Sequence, residues 1–123
     1  MYLRKKKCEM KRSEMEVREF LNRFVSKTSI WGIVYLDRDK NLAAMTQLGI
    51  TAVQRDGIVM GLTVEDYVET LESMIPGASD LWVFGKRYEH TELYIKVSLG
   101  FPDSNAVCVS FHIAEYPINY AFK

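Results

Sequence analysis

From Glu14 onward the apolar residues fall at Val17, Phe20, Leu21, Phe24 and Val25, at spacings of three, one, three and one. That period draws one apolar stripe along a helix, which is expected to end near residues 26–29. The run WGIVYL at 31–36 is aromatic and β-branched, as a short strand requires. DRDKN follows with turn and helix-start chemistry, so a second helix is expected over 40–48. Gly49 stands where that helix should stop and Thr51 where a third can be capped, with Val53, Ile58, Val59 and Leu62 as its apolar stripe. Thr63-Val-Glu-Asp66 approximates a capping box. It predicts a fourth short helix that turns Tyr67, Val68 and Leu71 inward before Pro76-Gly77 breaks the chain.

The final third switches to a period of two. LWVFGKRY (81–88), ELYIKVSL (92–99) and AVCVSFHI (106–113) read as three strands joined by the short connections Glu89-His90-Thr91 and GFPDSN. Connections of that length make an antiparallel meander the economical topology. After Pro117, INYAF is expected to add an edge segment. Helices first and strands last is the order of an α+β domain, without internal repeat or low-complexity linker.

Alternation also assigns faces, because successive strand side chains point to opposite sides. Leu93, Ile95, Val97 and Leu99 form one apolar row and Val107, Val109, Phe111 and Ile113 another, so these rows are expected to meet the helices. The reverse face then carries Tyr94, Lys96 and Ser98 beside Cys108, Ser110 and His112. In the first strand either Leu81-Val83-Gly85 or Trp82-Phe84-Lys86 can face the core, and in the first case Lys86 lies on the open side and joins that cluster. The plain explanation of a polar row is a wetted sheet surface. The mixture of phenol, ammonium, hydroxyl, thiol and imidazole argues instead for chemistry, with His112 as the natural proton carrier.

Spacing limits which chemistry. Cys108 and His112 lie about 13 Å apart along one strand, too far for a thiol–imidazole pair. Ser110 and His112 are about 7 Å apart with no carboxylate in their row, so a serine triad fails too. Cross-strand neighbours approach to about 5 Å, so Tyr94 or Lys96 beside His112 suits acid–base work at a phosphodiester. There a base takes the ribose 2′-hydroxyl proton, a cation stabilises the phosphorane, and an acid protonates the leaving 5′-oxygen.

Composition narrows the picture further. A length of 123 residues fits one domain and leaves no room for a two-domain enzyme. Sixteen basic against sixteen acidic residues exclude a globally basic nucleic-acid binder, so any anion site must be local. Two cysteines and two histidines supply neither a disulfide framework nor a recurrent metal motif, and no apolar run suits a membrane span or signal peptide. A cytoplasmic protein with reduced thiols and no metal or other cofactor is expected. Residues 1–12 carry six basic residues and one acidic, which predicts a disordered basic leader over 1–14 ahead of a single domain at 15–123.

Read in order, GLTVEDY (61–67), LWVFGK (81–86), LYIKV (93–97) and VSFHIAEYPINYAF (109–122) resemble the motility quorum-sensing regulator (MqsR) family of type II toxins. A weaker likeness in VREFLNRF and LDRDKNLAAMTQLGI extends it over nearly all of the chain after Met15. The resemblance implies a RelE-like fold and an mRNA interferase, a small metal-independent endoribonuclease silenced by a cognate antitoxin. The tyrosine and lysine of the family's Tyr-x-Lys strand fall on Tyr94 and Lys96, and the position after its Val-Ser-Phe falls on His112, where the better-known branch has lysine. That branch also has lysine at the place of Glu69 and glutamine at the place of Val83.

The expectation is therefore an α+β domain of N-terminal helices packed on a C-terminal twisted antiparallel sheet, acting as a toxin-type endoribonuclease on mRNA. Tyr94, Lys96 and His112 are its candidate catalytic residues. Lys86, Ser110 and Tyr116 are candidate substrate contacts, with Tyr120, Arg55 and Arg87 as further surface candidates and Trp31 and Trp82 as packing residues. Its expected partners are mRNA and an antitoxin protein, with the ribosome as a further candidate and no membrane. The rival from another class is a non-catalytic binding module whose polar face docks a protein.

Overall fold

A computed structural model describes residues 9–123. Its elements run β1 (Glu9–Met10), α1 (Glu14–Trp31), β2 (Ile33–Tyr35), α2 (Asp39–Leu48), α3 (Ala52–Met60), one 3₁₀ turn (Val64–Asp66), β3 (Tyr67–Leu71), β4 (Leu81–Tyr88), β5 (Thr91–Ser98) and β6 (Ala106–Ile113). The helix ends follow local chemistry. Ser13 and Glu16 form a reciprocal cap on α1, and Thr51 and Gln54 do the same on α3. Gly49 closes α2 in the left-handed conformation, with φ 64°. Because α1 continues through Trp31, the second strand is shorter than expected and Trp31 stays exposed rather than packed. On α3, Val53 also points outward at 80% exposure, so Val59 is the helix's buried anchor.

The fourth helix does not form. Thr63 and Asp66 hold only the 3₁₀ turn, through bonds from the Thr63 amide (2.9 Å) and hydroxyl (3.1 Å) to Asp66 Oδ2. The YVETL stretch then pairs with β4, where strand partners and burial of Tyr67, Thr70 and Leu71 outweigh a four-residue start signal. Nor does the chain after Pro117 add a strand; residues 114–123 cross the sheet as an irregular strap.

All six strands form one sheet in the order β1-β3-β4-β5-β6-β2. The meander β4-β5-β6 is antiparallel, whereas β2 joins the far edge parallel to β6, so the sheet is mixed rather than purely antiparallel. On the other edge β1 pairs with β3, and the Arg12 guanidinium reaches Asp80 at 3.3 Å. Residues 9–14, expected to belong to the leader over 1–14, are thus part of the fold, and residues 1–8 lie outside those described.

One face of the sheet packs on α1. Phe20 stacks on Trp82 at 4.2 Å between ring centroids, and Val17, Phe24, Phe84, Leu93, Ile95, Val97 and Phe111 complete that core. Each such fully buried side chain stabilises by about 1.5–3 kcal/mol. A second, smaller cluster on the reverse face joins Leu71, Leu81, Val83, Val107 and Val109.

These two clusters expose an error in strict alternation. The β5–β6 register pairs Lys96 with Ser110 but the next residue, Val97, with Cys108, leaving Val109 as the extra residue of a β-bulge. Before the bulge Ala106 and Cys108 face the helices; after it Phe111 does. Val107 and Val109 therefore leave the expected core row, and Cys108 leaves the polar face. Full burial pushes the Cys108 thiol up to about 12, so it is an inert core residue.

Candidate functional site

Beyond the bulge, β5 and β6 set four polar side chains in a square on the reverse face. Tyr94 lies directly opposite His112, and Lys96 directly opposite Ser110. The Tyr94 and His112 rings stack at 5.2 Å with their planes 21° apart, and the Lys96 ammonium lies 5.7 Å from the Tyr94 ring centre. The square forms the floor of a groove of about 850 Å³.

His112 is oriented by its own strand, its Nδ1 lying 2.9 Å from the Ile113 carbonyl oxygen. A carbonyl only accepts, so Nδ1 carries a proton and Nε2 holds the lone pair of the neutral ring. Burial lowers the imidazole pKa below 6.5, against the opposing pull of that carbonyl, and nearby Lys40 lowers it further. The ring is therefore neutral at pH 7, with a basic nitrogen available.

Three walls enclose the floor. The start of α2 brings Arg38, Asp39 and Lys40, β3 brings Val68 and Glu69, and the strap brings residues 114–119, with Lys11 completing the rim. Val68 and Glu69 both point this way because the β3–β4 register also slips between Tyr67 and Glu69. Lys40 and Glu115 pair at 2.9 Å, while Lys11 and Arg38 donate to the Val68 and Val109 carbonyls at 2.7 and 3.4 Å. Lys11, Arg38, Lys40 and Lys96 outnumber Asp39, Glu69 and Glu115 by four to three, so a chain with no net charge has a locally cationic groove.

Asn41 ties this arrangement together. Its buried amide donates to the Leu36 and Val109 carbonyls and accepts from the Phe111 amide, each at 3.0 Å. One side chain thus satisfies the backbone that the bulge takes out of the ladder, and locks α2 to β6.

Of the residues singled out by sequence, Tyr94, Lys96, Ser110, His112 and Tyr116 line one groove. Lys86 does not. It shares the Trp82–Phe84 row on the helix side, where its ammonium pairs with Asp66 at 3.2 Å. Val83 is buried in the smaller core cluster, and His90 is exposed in the β4–β5 turn. Tyr120 donates to Glu92 at 2.8 Å and is pushed up to about 12, by burial and then by that carboxylate. Arg55 lies 3.5 Å over the Tyr35 ring, whose hydroxyl donates to Asp56, and so belongs to a surface cluster outside the groove. Arg38, Lys40, Asn41 and Asn119 were not among the sequence candidates. A signal existed for Asn41: it occupies the inward stripe Asn41-Ala44-Met45-Leu48, where a lone amide marks a buried hydrogen-bonding job.

Among the described residues no group of three or more His, Cys, Asp or Glu side chains is placed to hold a metal ion, and no helix is long and apolar enough to cross a membrane. Compared with family models, curated proteins and solved structures, the chain matches none.

Proposed function

We propose that this protein is an endoribonuclease that cleaves single-stranded RNA by attack of the ribose 2′-hydroxyl. Within that class we assign it to the RelE-like mRNA interferases, as a toxin of the MqsR type held in check by an antitoxin protein and acting in the cytoplasm. The observation that carries the reading is the Tyr94–His112 cross-strand pair with Lys96 beside it, on the floor of a cationic groove. The likeness of the Tyr-x-Lys and Ser-Phe-His runs to that family adds to it.

Each group has a role suited to its surroundings. Neutral His112 takes the 2′-hydroxyl proton on Nε2, and the resulting alkoxide attacks phosphorus. Lys96 offsets the charge that grows on the phosphorane oxygens, and the Ser110 hydroxyl donates to one of them. Tyr94 gives its phenolic proton to the departing 5′-oxygen. The products are a 2′,3′-cyclic phosphate and a free 5′-hydroxyl, and proton return from His112 to Tyr94 through solvent resets the site.

The test is induced expression in bacterial cells, with transcripts followed alongside growth. Wild-type protein arrests growth and shortens transcripts, whereas His112→Ala and Lys96→Ala, each shown to be folded, do neither. Arrest retained in both variants overturns the ribonuclease reading in favour of titration of a protein partner.

A further inference from the structure

Residues 114–123 form no regular element, yet the strap is fastened at several points. The Ala114 amide donates to the Glu92 carbonyl at 2.9 Å, continuing the β5–β6 ladder by one bond. Lys40 then grips Glu115 from across the groove. Further along, Tyr120 donates to the Glu92 carboxylate, the Ala121 amide donates to the Tyr67 carbonyl at 3.0 Å, and Phe122 stacks on Tyr67.

The sheet makes room for this crossing at one position. Gly85 has ordinary strand geometry, so its lack of a side chain is not a backbone requirement. A Cβ there would meet Tyr120 Oη at 2.7 Å, Ile118 Cδ1 at 2.8 Å and Tyr120 Cε1 at 2.9 Å. Gly85 is the seat of the strap, and it lies directly opposite Tyr94. Between the fastenings the strap turns its polar and aromatic groups outward along the groove: Tyr116 is 80% exposed, and Asn119 is exposed too. Pro117 has a fixed φ and no amide proton, which stiffens the span between them.

A wall held this firmly, yet presenting an unburied ring and a bare amide beside the floor, is built for something that enters the groove. We propose that residues 115–119 read the base next to the scissile phosphate, with Tyr116 stacking on it and Asn119 bonding its edge. This rests on the ribonuclease reading and adds its specificity element. Aromatic stacking holds any base, whereas an amide offers one donor group and one acceptor in fixed order, so Asn119 supplies the choice and Tyr116 the grip.

The experiment digests a random-sequence RNA pool with the full-length protein and maps the bases flanking each cut, for wild type, Asn119→Ala, Gly85→Val and His112→Ala. Preference is a ratio within one digest and does not depend on total rate. Wild type favours one base beside the cut. That ratio falls on the order of tenfold in Asn119→Ala, and in Gly85→Val, whose side chain evicts the strap. An unchanged ratio in Asn119→Ala, with cuts that still vanish in His112→Ala, overturns the strap proposal while sparing the ribonuclease. RNA left intact by wild type overturns both. Should Gly85→Val fail to fold, Asn119→Ala decides alone, because its exposed side chain supports no core.

Discussion

The two faces of this sheet are built from the same strands, yet they are finished differently. Toward α1 the face is closed throughout by stacked and edge-on aromatic rings, Phe20, Trp82, Phe84 and Tyr67 among them. The reverse face is closed only at one end, by Leu71, Leu81, Val83, Val107 and Val109, and opens at the other into the Tyr94–Lys96–Ser110–His112 groove. The bulge at Val109 lies where the two ends meet. With a strict ladder, the row that ends in His112 would hold Cys108 in place of Val107 and Val109, and the apolar end would lose its β6 contribution. One extra residue therefore lets a single strand serve packing at its start and supply the polar floor of the groove at its end.

This contrast predicts that substitutions on the helix face cost stability and those on the groove face cost cleavage. The largest effect is expected from His112→Ala, which should slow single-turnover cleavage by about a hundred- to ten-thousandfold while leaving the urea midpoint close to wild type. Phe24→Ala, in the closed face, should instead lose about 3–5 kcal/mol in urea unfolding. Asn41→Ala crosses the division. It leaves the buried Phe111 amide without an acceptor and takes one donor each from the Leu36 and Val109 carbonyls, which keep bonds from Arg38, so a loss of about 2–3 kcal/mol should accompany a cleavage defect far from any substrate contact. A cleavage defect in Phe24→Ala at full folding, or none in Asn41→Ala, would break the comparison.

Acidity offers a finer probe. Because burial lowers the His112 pKa, the acidic limb of the rate profile should fall below pH 6.5 rather than on it. The same shift makes folding stability depend on pH with a definite sign. The unfolded chain binds the proton more readily, so this contribution is fully present above about pH 6.5 and is lost as pH falls from there toward the folded value. A His112→Asn variant should flatten that slope in urea melts taken between pH 5 and 7, and an unchanged slope would assign it to other groups. The smallest effect is expected at Lys86. Its pair with Asp66 lies on the helix side, so Lys86→Ala should cost on the order of 1 kcal/mol and slow cleavage much less than Lys96→Ala.

Much of this was readable in the chain itself. The 3.6-residue stripe of α1, the Gly49 stop, the Thr51 cap and the three alternating strands follow from local rules and appear in the structure. So does the cross-strand grouping of Tyr94 and Lys96 with His112, because a meander with short turns leaves little freedom of register. What local rules missed is tertiary. Thr63–Asp66 carries a helix-start signature, but β4 offers YVETL a better partner as a strand. The bulge has no mark in AVCVSFHI, because its cost is met by Asn41, about seventy residues away in sequence. The placement of β2 parallel to β6, and the passage of the strap over Gly85, likewise depend on contacts between distant parts of the chain.

The measurement that tests the central claim most directly is digestion of a defined RNA by the purified protein in EDTA, with the new ends analysed chemically and His112→Ala run alongside. The account predicts cuts that survive chelation, leave 2′,3′-cyclic phosphate and 5′-hydroxyl ends, and vanish in the variant. Cuts that persist in folded His112→Ala, or that leave 5′-phosphate ends, would contradict it.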